Sequence, residues 1–417
     1  MIYLYRLIKK RVDLYLYGLF QENKIWYGLP LSIISRKFFF REFFPNKKSY
    51  STIEELNSII EDTFQSQSTN LILKNLTSYR KKKYKSVSNK KVLFISSDNV
   101  KNSDKYINAN FAKYINSANH AGIITSFFEA SQISYNFEVV DSIRLQNAKK
   151  VIKKLLNKIS SYQPDLIFVD TNYFPDLANF NEDVVSSIRS ICSAKIVGHI
   201  DDLFTDEDHR KAHIWEKFLD IVVHTSPGWK YKTKGNIIYI PTPTDPLSFY
   251  PAKKTNGIFF SGIGNLPRFP YLFIAKLFCQ KNNISHYIKI HDRKIVNALS
   301  RDEFNRYIRE SHAVLEMTAR SSTIRPTGGR SRIPLICKSL LIMEKSVDMN
   351  NFIVPYLHYI PFDNKRELEL AIQLTFESKK LVNKITDAAY TFVRKHYNGD
   401  IIWKEIFHHA NSTKKKL

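Results

Sequence analysis

The residues best suited to chemistry are three arginines in the segment Thr323-Ile324-Arg325-Pro326-Thr327-Gly328-Gly329-Arg330-Ser331-Arg332. The segment follows a predicted strand and precedes a predicted helix, Ile333–Cys337. A guanidinium group can donate two parallel hydrogen bonds to the oxygens of one phosphate. Backbone N–H groups at the start of a helix add positive potential. The pattern therefore predicts an anion site, although a basic surface loop would have the same composition. The contributing residues are Arg325, Thr327, Gly328, Gly329, Arg330 and Arg332.

A second candidate site is the small-residue turn Ser261-Gly262-Ile263-Gly264-Asn265-Leu266-Pro267-Arg268, after the predicted strand Ile258–Phe260. Small residues let the backbone approach a phosphate, and the helix that begins near Pro270 offers its positive end. The turn is not the dinucleotide-binding fingerprint. The predicted ligands are Gly262, Gly264, Asn265 and Arg268. His291, which follows the predicted strand His286–Ile290, is expected at the same rim.

A third candidate site is the predicted loop Gly198-His199-Ile200-Asp201-Asp202, after the predicted strand Ala194–Val197. A histidine and two carboxylates can supply a general base for a hydroxyl nucleophile. Adjacent side chains of an extended segment point in opposite directions. We therefore expect one of Asp201 and Asp202 to face a cleft while the other caps the next helix or pairs with a base. Two capping or surface aspartates are the alternative, and His199 completes the predicted catalytic set.

Metal chemistry and serine hydrolase chemistry have no support in the sequence. No HExxH, paired CxxC, P-loop or GxSxG pattern occurs. The three cysteines are far apart, with neither metal-ligand spacing nor a disulfide framework, which indicates buried thiols in a reducing compartment. We expect no metal and no bound cofactor.

The elements that position these residues alternate between strands and helices from Lys91 onward, which predicts parallel sheets. Ligands of such sheets bind at the carboxyl ends of the strands. The first half is predicted to contain strands at 92–95, 137–140, 164–170, 194–197 and 220–223, and helices at 109–130, 148–159 and 184–191. The second half is predicted to contain strands at 258–260, 286–290, 313–317, 339–343 and 358–361, and helices at 271–280, 301–310, 333–337, 367–377, 381–397 and 401–408.

The predicted domain organisation has five parts. They are a basic aromatic extension (1–89), an N-terminal Rossmann-like acceptor domain (90–241), a proline-rich hinge (242–257), a C-terminal Rossmann-like domain (258–395), and a closing helix with a basic tail (396–417). Pro241, Pro243, Pro246 and Pro251 keep helices and central strands out of the hinge. The alternative is a proline-rich loop within one larger domain.

The charge of the chain suggests an anionic partner. The formal net charge is +24. A general bias of the genome toward lysine codons is the alternative source of part of this charge. Residues 1–50 mix aromatic side chains with ten Lys or Arg and three acids, a composition that suits an anionic bilayer surface. A helical extension packed on the following domain is the alternative. Without a secretory signal or a spanning segment, we expect a cytoplasmic protein, peripheral on the inner face of the cytoplasmic membrane.

Four segments, IPTPTDPLSFYP, FFSGIGNLPRFPYLFIAKLF, RPTGGRSRIPL and AAYTFVRKHYNGDIIWKEIF, resemble GT-B-fold glycosyltransferases, especially bacterial family-one-type and CgeB-like enzymes. The resemblance spans 90–407. It implies two Rossmann-like α/β domains facing across a cleft, and metal-independent hexosyl transfer in surface polysaccharide synthesis. A nucleotide-sugar would bind the C-terminal domain, with Arg268, Arg325, Arg330 and Arg332 on its diphosphate. A glycan or lipid-linked acceptor would bind the N-terminal domain.

Two departures and two alternatives accompany this resemblance. Ile333 and Pro334 stand where many retaining members carry a glutamate, and Ser96-Ser97-Asp98-Asn99 replaces a glycine-rich loop. A nucleotide-sugar epimerase of the same fold would show clustered His and carboxylate residues, which we do not find. A nucleic-acid-binding protein would show a focused basic and aromatic cluster, whereas the charge here is diffuse, so we do not expect nucleic acid as a partner.

Overall fold

The computed structural model describes residues 50–78, 84–96, 109–129, 141–171, 182–200, 206–225, 235–245, 247–263, 268–291, 299–317, 331–345, 349 and 352–413. Within these ranges the chain forms two compact units. The first unit lies within Arg80–Ser248 and Lys395–Leu417, and the second within Met1–Tyr79 and Phe249–Arg394. Each unit therefore combines chain segments from two distant parts of the sequence.

Helices and strands alternate along most of the described chain. The helices are α1 (Ile53–Gln65), α2 (Gln67–Ser78), α3 (Ala109–His120), α4 (Asp141–Tyr162), α5 (Glu182–Ile191), α6 (Asp206–Glu216), α7 (Phe269–Lys281), α8 (Arg301–Glu310), α9 (Arg332–Ile336), α10 (Lys365–Glu377), α11 (Lys379–His396) and α12 (Gly399–Ser412). The strands are β1 (Lys91–Ser96), β2 (Ile124–Glu129), β3 (Leu166–Asp170), β4 (Lys195–Ile200), β5 (Ile221–His224), β6 (Ile237–Tyr239), β7 (Asn256–Ile263), β8 (His286–His291), β9 (Ser311–Glu316), β10 (Leu340–Glu344) and β11 (Ile360–Phe362).

The first unit is built on a six-stranded parallel sheet in the order β2-β1-β3-β4-β5-β6. Its central strands are nearly continuous apolar runs, because helices cover both faces of a parallel sheet. Helices α4, α5 and α6 supply one core cluster, which includes Leu155, Val185 and Trp215. Helices α3 and α12 supply the other, which includes Tyr114 and Trp403. All the strands consequently end at one edge, which we call the carboxyl edge of the sheet.

The last helix, α12, belongs to the first unit through close packing against α3. Trp403 Nε1 donates to Ser117 Oγ at 3.0 Å, and the indole is fully buried. Gly399 permits this approach, because a Cβ atom there would lie 2.7 Å from the Cβ of Ser117. The segment before residue 249 is also fixed within this unit. Asp245 Oδ2 accepts from Asn116 Nδ2 at 2.9 Å and from Ser248 Oγ at 2.7 Å.

The second unit contains a five-stranded parallel sheet in the order β11-β10-β9-β7-β8. Its core joins the apolar faces of α7 and α10 to those strands, and Leu56 and Ile60 of α1 pack into the same cluster. Tyr50, which is 2% exposed, anchors this N-terminal segment. Its hydroxyl lies 2.9 Å from Pro361 O and 3.1 Å from Glu367 O. A capping box between Thr52 and Glu55 then starts α1.

The structure corrects several predicted elements. The predicted helix 109–130 ends at His120, because Gly122 adopts a φ of +76° and the β-branched and aromatic run Ile124–Glu129 pairs with β1 as β2. Strand β4 continues to Ile200 and β8 to His291, so His199 and His291 are strand residues and not loop residues. The predicted strand 137–140 lies outside the described residues, as do residues 1–49 of the predicted membrane segment.

No helix in the described part of the chain is both long enough and apolar enough to cross a membrane.

Candidate functional site

Arg268 and Gly262 meet at the carboxyl edge of the second unit's sheet. Arg268 directly precedes α7, its Nε donates to the Met317 carbonyl at 3.1 Å, and its guanidinium lies 5.9 Å from the ring centre of Phe260. A Cβ atom on Gly262 would lie 3.5 Å from Arg268 Nη1. A half-buried cation is thus fixed beside strand β7, next to the backbone of Gly262. Such a pairing can receive an oxyanion.

His291 ends the neighbouring strand at the same edge. It is the last residue of β8 and is in register with Ile263 of β7. The backbone of His291 therefore lies next to β7, the strand that contains Gly262. This position agrees with the predicted placement of His291 at the same rim. The roles of these residues remain predictions. The predicted ligands Gly264, Asn265, Arg325, Thr327, Gly328, Gly329 and Arg330 lie outside the described residues.

Arg332 is a predicted ligand that the structure describes. It is the first residue of α9 and is 4% exposed, so most of its side chain is shielded from solvent. Helix α9 has only five residues. The aligned peptide dipoles of so short a helix add less positive potential than a longer helix would. The role of Arg332 as an anion ligand therefore stays a prediction.

Two carboxylates at the carboxyl edge of the second unit's sheet were not predicted as site residues. Glu316 ends β9 and Glu344 ends β10, and the register pairs Met343 with Glu316. Glu344 is 7% exposed, whereas Glu316 is half-buried. Carboxylate oxygens accept hydrogen bonds from sugar hydroxyls. The signal in the sequence was an acid at the end of an otherwise apolar strand.

The carboxyl edge of the first unit's sheet carries a chain of buried polar groups. Ser96 Oγ donates to Asp170 Oδ2 at 3.3 Å, and Asp170 Oδ1 lies 3.9 Å from His199 Nδ1. His199 Nε2 lies 2.9 Å from the hydroxyl of Tyr114. These four side chains come from β1, β3, β4 and α3, and all are at most 2% exposed. The hydrogen bonds from Ser96 to Asp170 and between Tyr114 and His199 offset the cost of burying these polar groups. The 3.9 Å separation of Asp170 and His199 is longer than a hydrogen bond.

His199 is therefore a buried strand residue and not a residue of the predicted loop 198–202. Its ring packs 4.7 Å from Tyr114 and 5.5 Å from Phe168, centre to centre. Asp201 and Asp202, which follow it directly, lie outside the described residues. Sequence reasoning missed Asp170 and Tyr114, because a lone acid ending a strand and a tyrosine within a helix carry no motif. Their partnership arises only when the strands and α3 come together.

The thiols of the second unit are unsuited to nucleophilic chemistry near neutral pH. Burial raises the pKa of Cys279 and of Cys337 to about 12, so both thiols stay protonated. Within the described ranges, no group of three or more His, Cys, Asp or Glu side chains could hold a metal ion.

A cavity of about 390 Å³ opens at the amino edge of the first unit's sheet, between α5 and the segment leading into β5. Its charged lining includes Arg189, Lys195 and Asp220. Lys195 Nζ lies 3.3 Å from Asp220 Oδ1, and Asp220 Oδ2 accepts from the Ile196 backbone N–H at 2.8 Å. None of the predicted site residues that the structure describes lines this cavity.

No protein-family model and no curated protein sequence matches the chain. Solved structures do match. Anabaena HepE in complex with UDP and glucose is 12% identical, with a TM-score of 0.50 over 77% of this chain and 99% of that one. Sucrose-phosphate synthase from Thermosynechococcus elongatus is 11% identical, with a TM-score of 0.49 over 77% and 98%. AviGT4, a glycosyltransferase of avilamycin A biosynthesis, is 10% identical, with a TM-score of 0.48 over 77% and 97%.

At this level of identity, the likeness to HepE establishes the fold alone. The predicted α/β class, with two parallel Rossmann-like sheets, is confirmed. The finer resemblance to CgeB-like enzymes stays a prediction. The fold of this chain, with parallel sheets of six and five strands, is GT-B.

Proposed function

We propose that the protein is a glycosyltransferase that moves a sugar from a nucleotide-diphosphate-sugar to a glycan or lipid-linked acceptor. The observation that carries the proposal is the placement of Arg268 beside Gly262 at the carboxyl edge of the second unit's sheet. Ligands of parallel α/β sheets bind at that edge. The GT-B fold is shared with HepE, whose solved structure holds UDP and glucose.

The chemistry of transfer explains why arginine suits this position. Breaking the bond from sugar to diphosphate leaves negative charge on the departing oxygen, and a preorganised cation lowers the energy of that charge. A guanidinium held by Met317 O and stacked on Phe260 needs little reorganisation. We propose that Arg325 and Arg330 join Arg268 around the diphosphate, so that no metal is required. Glu316 or Glu344 would accept hydrogen bonds from the hydroxyls of the sugar donor.

We propose that the first unit holds the acceptor and supplies the base. Asp201 and Asp202 directly follow β4, so one of them would take the proton of the attacking hydroxyl. His199 lies inside the sheet edge, where its bonds to Tyr114 and its approach to Asp170 support the start of that segment. The role in surface polysaccharide synthesis and the membrane partner are further parts of this proposal. Residues 1–50 would bind the anionic inner face of the cytoplasmic membrane.

Thermal unfolding of the purified protein tests the sugar-donor site. UDP, ADP, GDP, CDP, dTDP and their sugar conjugates would be added one at a time, without metal. A ligand that binds only the native state raises the melting temperature by mass action. We expect one base to be selected, the shift to be lost in Arg330→Ala, and the shift to remain in Arg306→Ala, a matched change at an exposed arginine of α8. No shift with any of these ligands would overturn the proposed function.

A further inference from the structure

The cavity at the amino edge of the first unit's sheet is large enough to hold a small molecule. Its volume of about 390 Å³ falls within the range of about 300–1,000 Å³ that is usual for ligand pockets. Glu182, Ser186 and Arg189 line it, and because they recur every three or four residues they share one face of α5. Lys195 at the start of β4 and Asp220 just before β5 belong to the same lining. All the lining residues lie in described segments of the first unit.

The inner part of the cavity carries a surplus of positive charge. The buried carboxylate of Asp220 lies 3.3 Å from Lys195 Nζ and 3.7 Å from Arg189 Nη2. Its Oδ2 atom also accepts a hydrogen bond from the Ile196 backbone N–H at 2.8 Å. One carboxylate is thus shared by Arg189 and Lys195, whose side chains are only 27% and 16% exposed. Charges in such a position are screened less than surface charges, so the surplus favours an anion.

Donors at one end of the cavity lack acceptors within the described part of the protein. Lys195 Nζ has three N–H groups and two acceptors, Asp220 Oδ1 and the Thr413 carbonyl at 3.4 Å. The Lys217 ammonium and the Ser193 hydroxyl also line the cavity and are exposed, and neither makes a hydrogen bond to a described residue. The oxygens of a phosphate or a carboxylate are acceptors that suit such a set of charged and neutral donors.

The two ends of the cavity differ in charge. Glu182 begins α5, and Ser193 lies just beyond its end, about 15 Å away along a helix of 10 residues. Arg189 Nη2 donates to the Phe218 carbonyl at 2.9 Å, which brings the adjacent Lys217 toward the Ser193 end. The carbonyls that end α5 contribute only about half an elementary negative charge there, which is less than the surplus of the cations. An oxyanion is therefore expected at the Ser193 end, away from the carboxylate of Glu182.

We propose that this cavity is a binding site for a small molecule that carries a phosphate or carboxylate group. Lys195, Lys217 and the hydroxyl of Ser193 would donate to the oxyanion, and Arg189 would add positive charge while it keeps its hydrogen bond to the Phe218 carbonyl. The site lies in the first unit and contains none of the groups assigned to the sugar donor. The inference therefore stands independently of the proposed function.

Cys192 offers a probe for occupancy of the site. It lines the cavity next to Ser193 and is partly exposed, whereas Cys279 and Cys337, the other two cysteines of the chain, are buried. Burial raises the pKa of the Cys192 thiol, and a hydrogen bond with the Ala194 backbone partly offsets this. The neutral reagent iodoacetamide should therefore modify Cys192 selectively at mildly alkaline pH. A bound anion should slow that reaction.

The experiment measures the rate of Cys192 alkylation by mass spectrometry over a range of inorganic phosphate or succinate concentrations, with sodium chloride at equal ionic strength as the reference. We expect saturable protection by at least one of the two anions, and the more effective one identifies the charged group of the ligand. Lys195→Met should raise the half-protecting concentration about 10-fold, because it removes a charge-assisted hydrogen bond from a shielded position. Lys217→Met should raise it about 3-fold, because this ammonium is exposed. Lys153→Met, at an exposed position of α4 outside the cavity, should leave it unchanged.

Two variants keep the inference falsifiable where Lys195→Met does not fold, because Lys217→Met and Ser193→Ala change exposed side chains. Ser193→Ala should raise the half-protecting concentration about 2- to 3-fold, since one neutral hydrogen bond is lost. Absence of protection by both anions, or equal protection by sodium chloride, would overturn the inference. Identical half-protecting concentrations in the wild type and in folded Lys217→Met and Ser193→Ala would overturn it as well.

Discussion

The carboxyl edges of the two sheets hold their polar side chains in different ways. In the first unit, Ser96, Asp170 and His199 turn toward one another and are almost completely buried. In the second unit, Arg268 is anchored by Met317 O and Phe260 beside a glycine strand. The first edge buries its polar groups close to one another, whereas the second holds a half-buried cation.

The difference has a physical origin in what burial does to charge. A polar group can be removed from water at little cost when its hydrogen bonds are remade inside the protein. A guanidinium is easier to leave partly hydrated, with its apolar face on an aromatic ring. Under the proposed function, the second edge binds the anion and the buried groups of the first edge contribute to stability. Substitutions at the two edges should have separable effects.

The largest effect on activity is expected at Arg268, because the proposed function places this residue on the diphosphate of the sugar donor. Arg268→Ala should lower kcat/KM for the sugar donor by about 10²–10³, since a preorganised cation opposite developing charge is lost. Arg268→Lys should recover only part of this, because an ammonium lacks the planar fork. Release of nucleoside diphosphate measures the rate. An unchanged rate in Arg268→Ala, with Arg306→Ala as the control, would remove anion binding from this edge.

A smaller effect, on stability and not on nucleotide affinity, is expected at Asp170. Asp170→Ala leaves the Ser96 hydroxyl and the His199 imidazole without this partner in a buried site. The free energy of unfolding should fall by about 2–3 kcal/mol, as measured in urea. Asp183→Ala, at an exposed position of α5, is the matched control. A loss of nucleotide affinity without a loss of stability would reverse the roles given to the two edges.

The smallest effect is expected at Tyr50, which anchors residues 50–65 to the second unit. Burial raises the pKa of its phenol, so the hydroxyl stays a hydrogen-bond donor at all ordinary pH values. Tyr50→Phe removes that donor from Pro361 O and Glu367 O. We expect a loss of about 1 kcal/mol in unfolding free energy, with nucleotide affinity retained. Tyr250→Phe, at a more exposed position, should lower the free energy of unfolding by less. Equal losses for the two variants would show that the buried hydrogen bonds of Tyr50 do not stabilise the second unit.

Much of the fold was predictable because buried parallel strands have uninterrupted apolar sequences. Val92–Ile95 and Leu166–Val169 leave no other interpretation, and both are central strands. Strand β2 was missed, because Ile124–Glu129 follows a helical pattern with only Gly122 to mark the break. A lone glycine within apolar sequence is a weak signal.

The candidate site was predictable only where one local segment contains the chemistry. Gly262 and Arg268 are six residues apart and meet in space. The partnership of Asp170, His199 and Tyr114 joins three elements, so no local window of sequence contains it. Lys254 lies in the predicted hinge, and its three hydrogen-bond acceptors come from the distant positions 309, 337 and 339. Long-range hydrogen bonds of this kind have no periodicity for a sequence to display.

The docking of residues 50–65 in the second unit has a consequence for biosynthesis. Tyr50 and α1 emerge from the ribosome before the first unit, yet their partners Pro361 and Glu367 are made near the end of translation. At ordinary elongation rates the delay is on the order of tens of seconds. The apolar face of α1 must stay unassembled while the whole of β1–β6 is being synthesised and folded. Chaperone demand should therefore be greatest for nascent chains that end between residues 80 and 360.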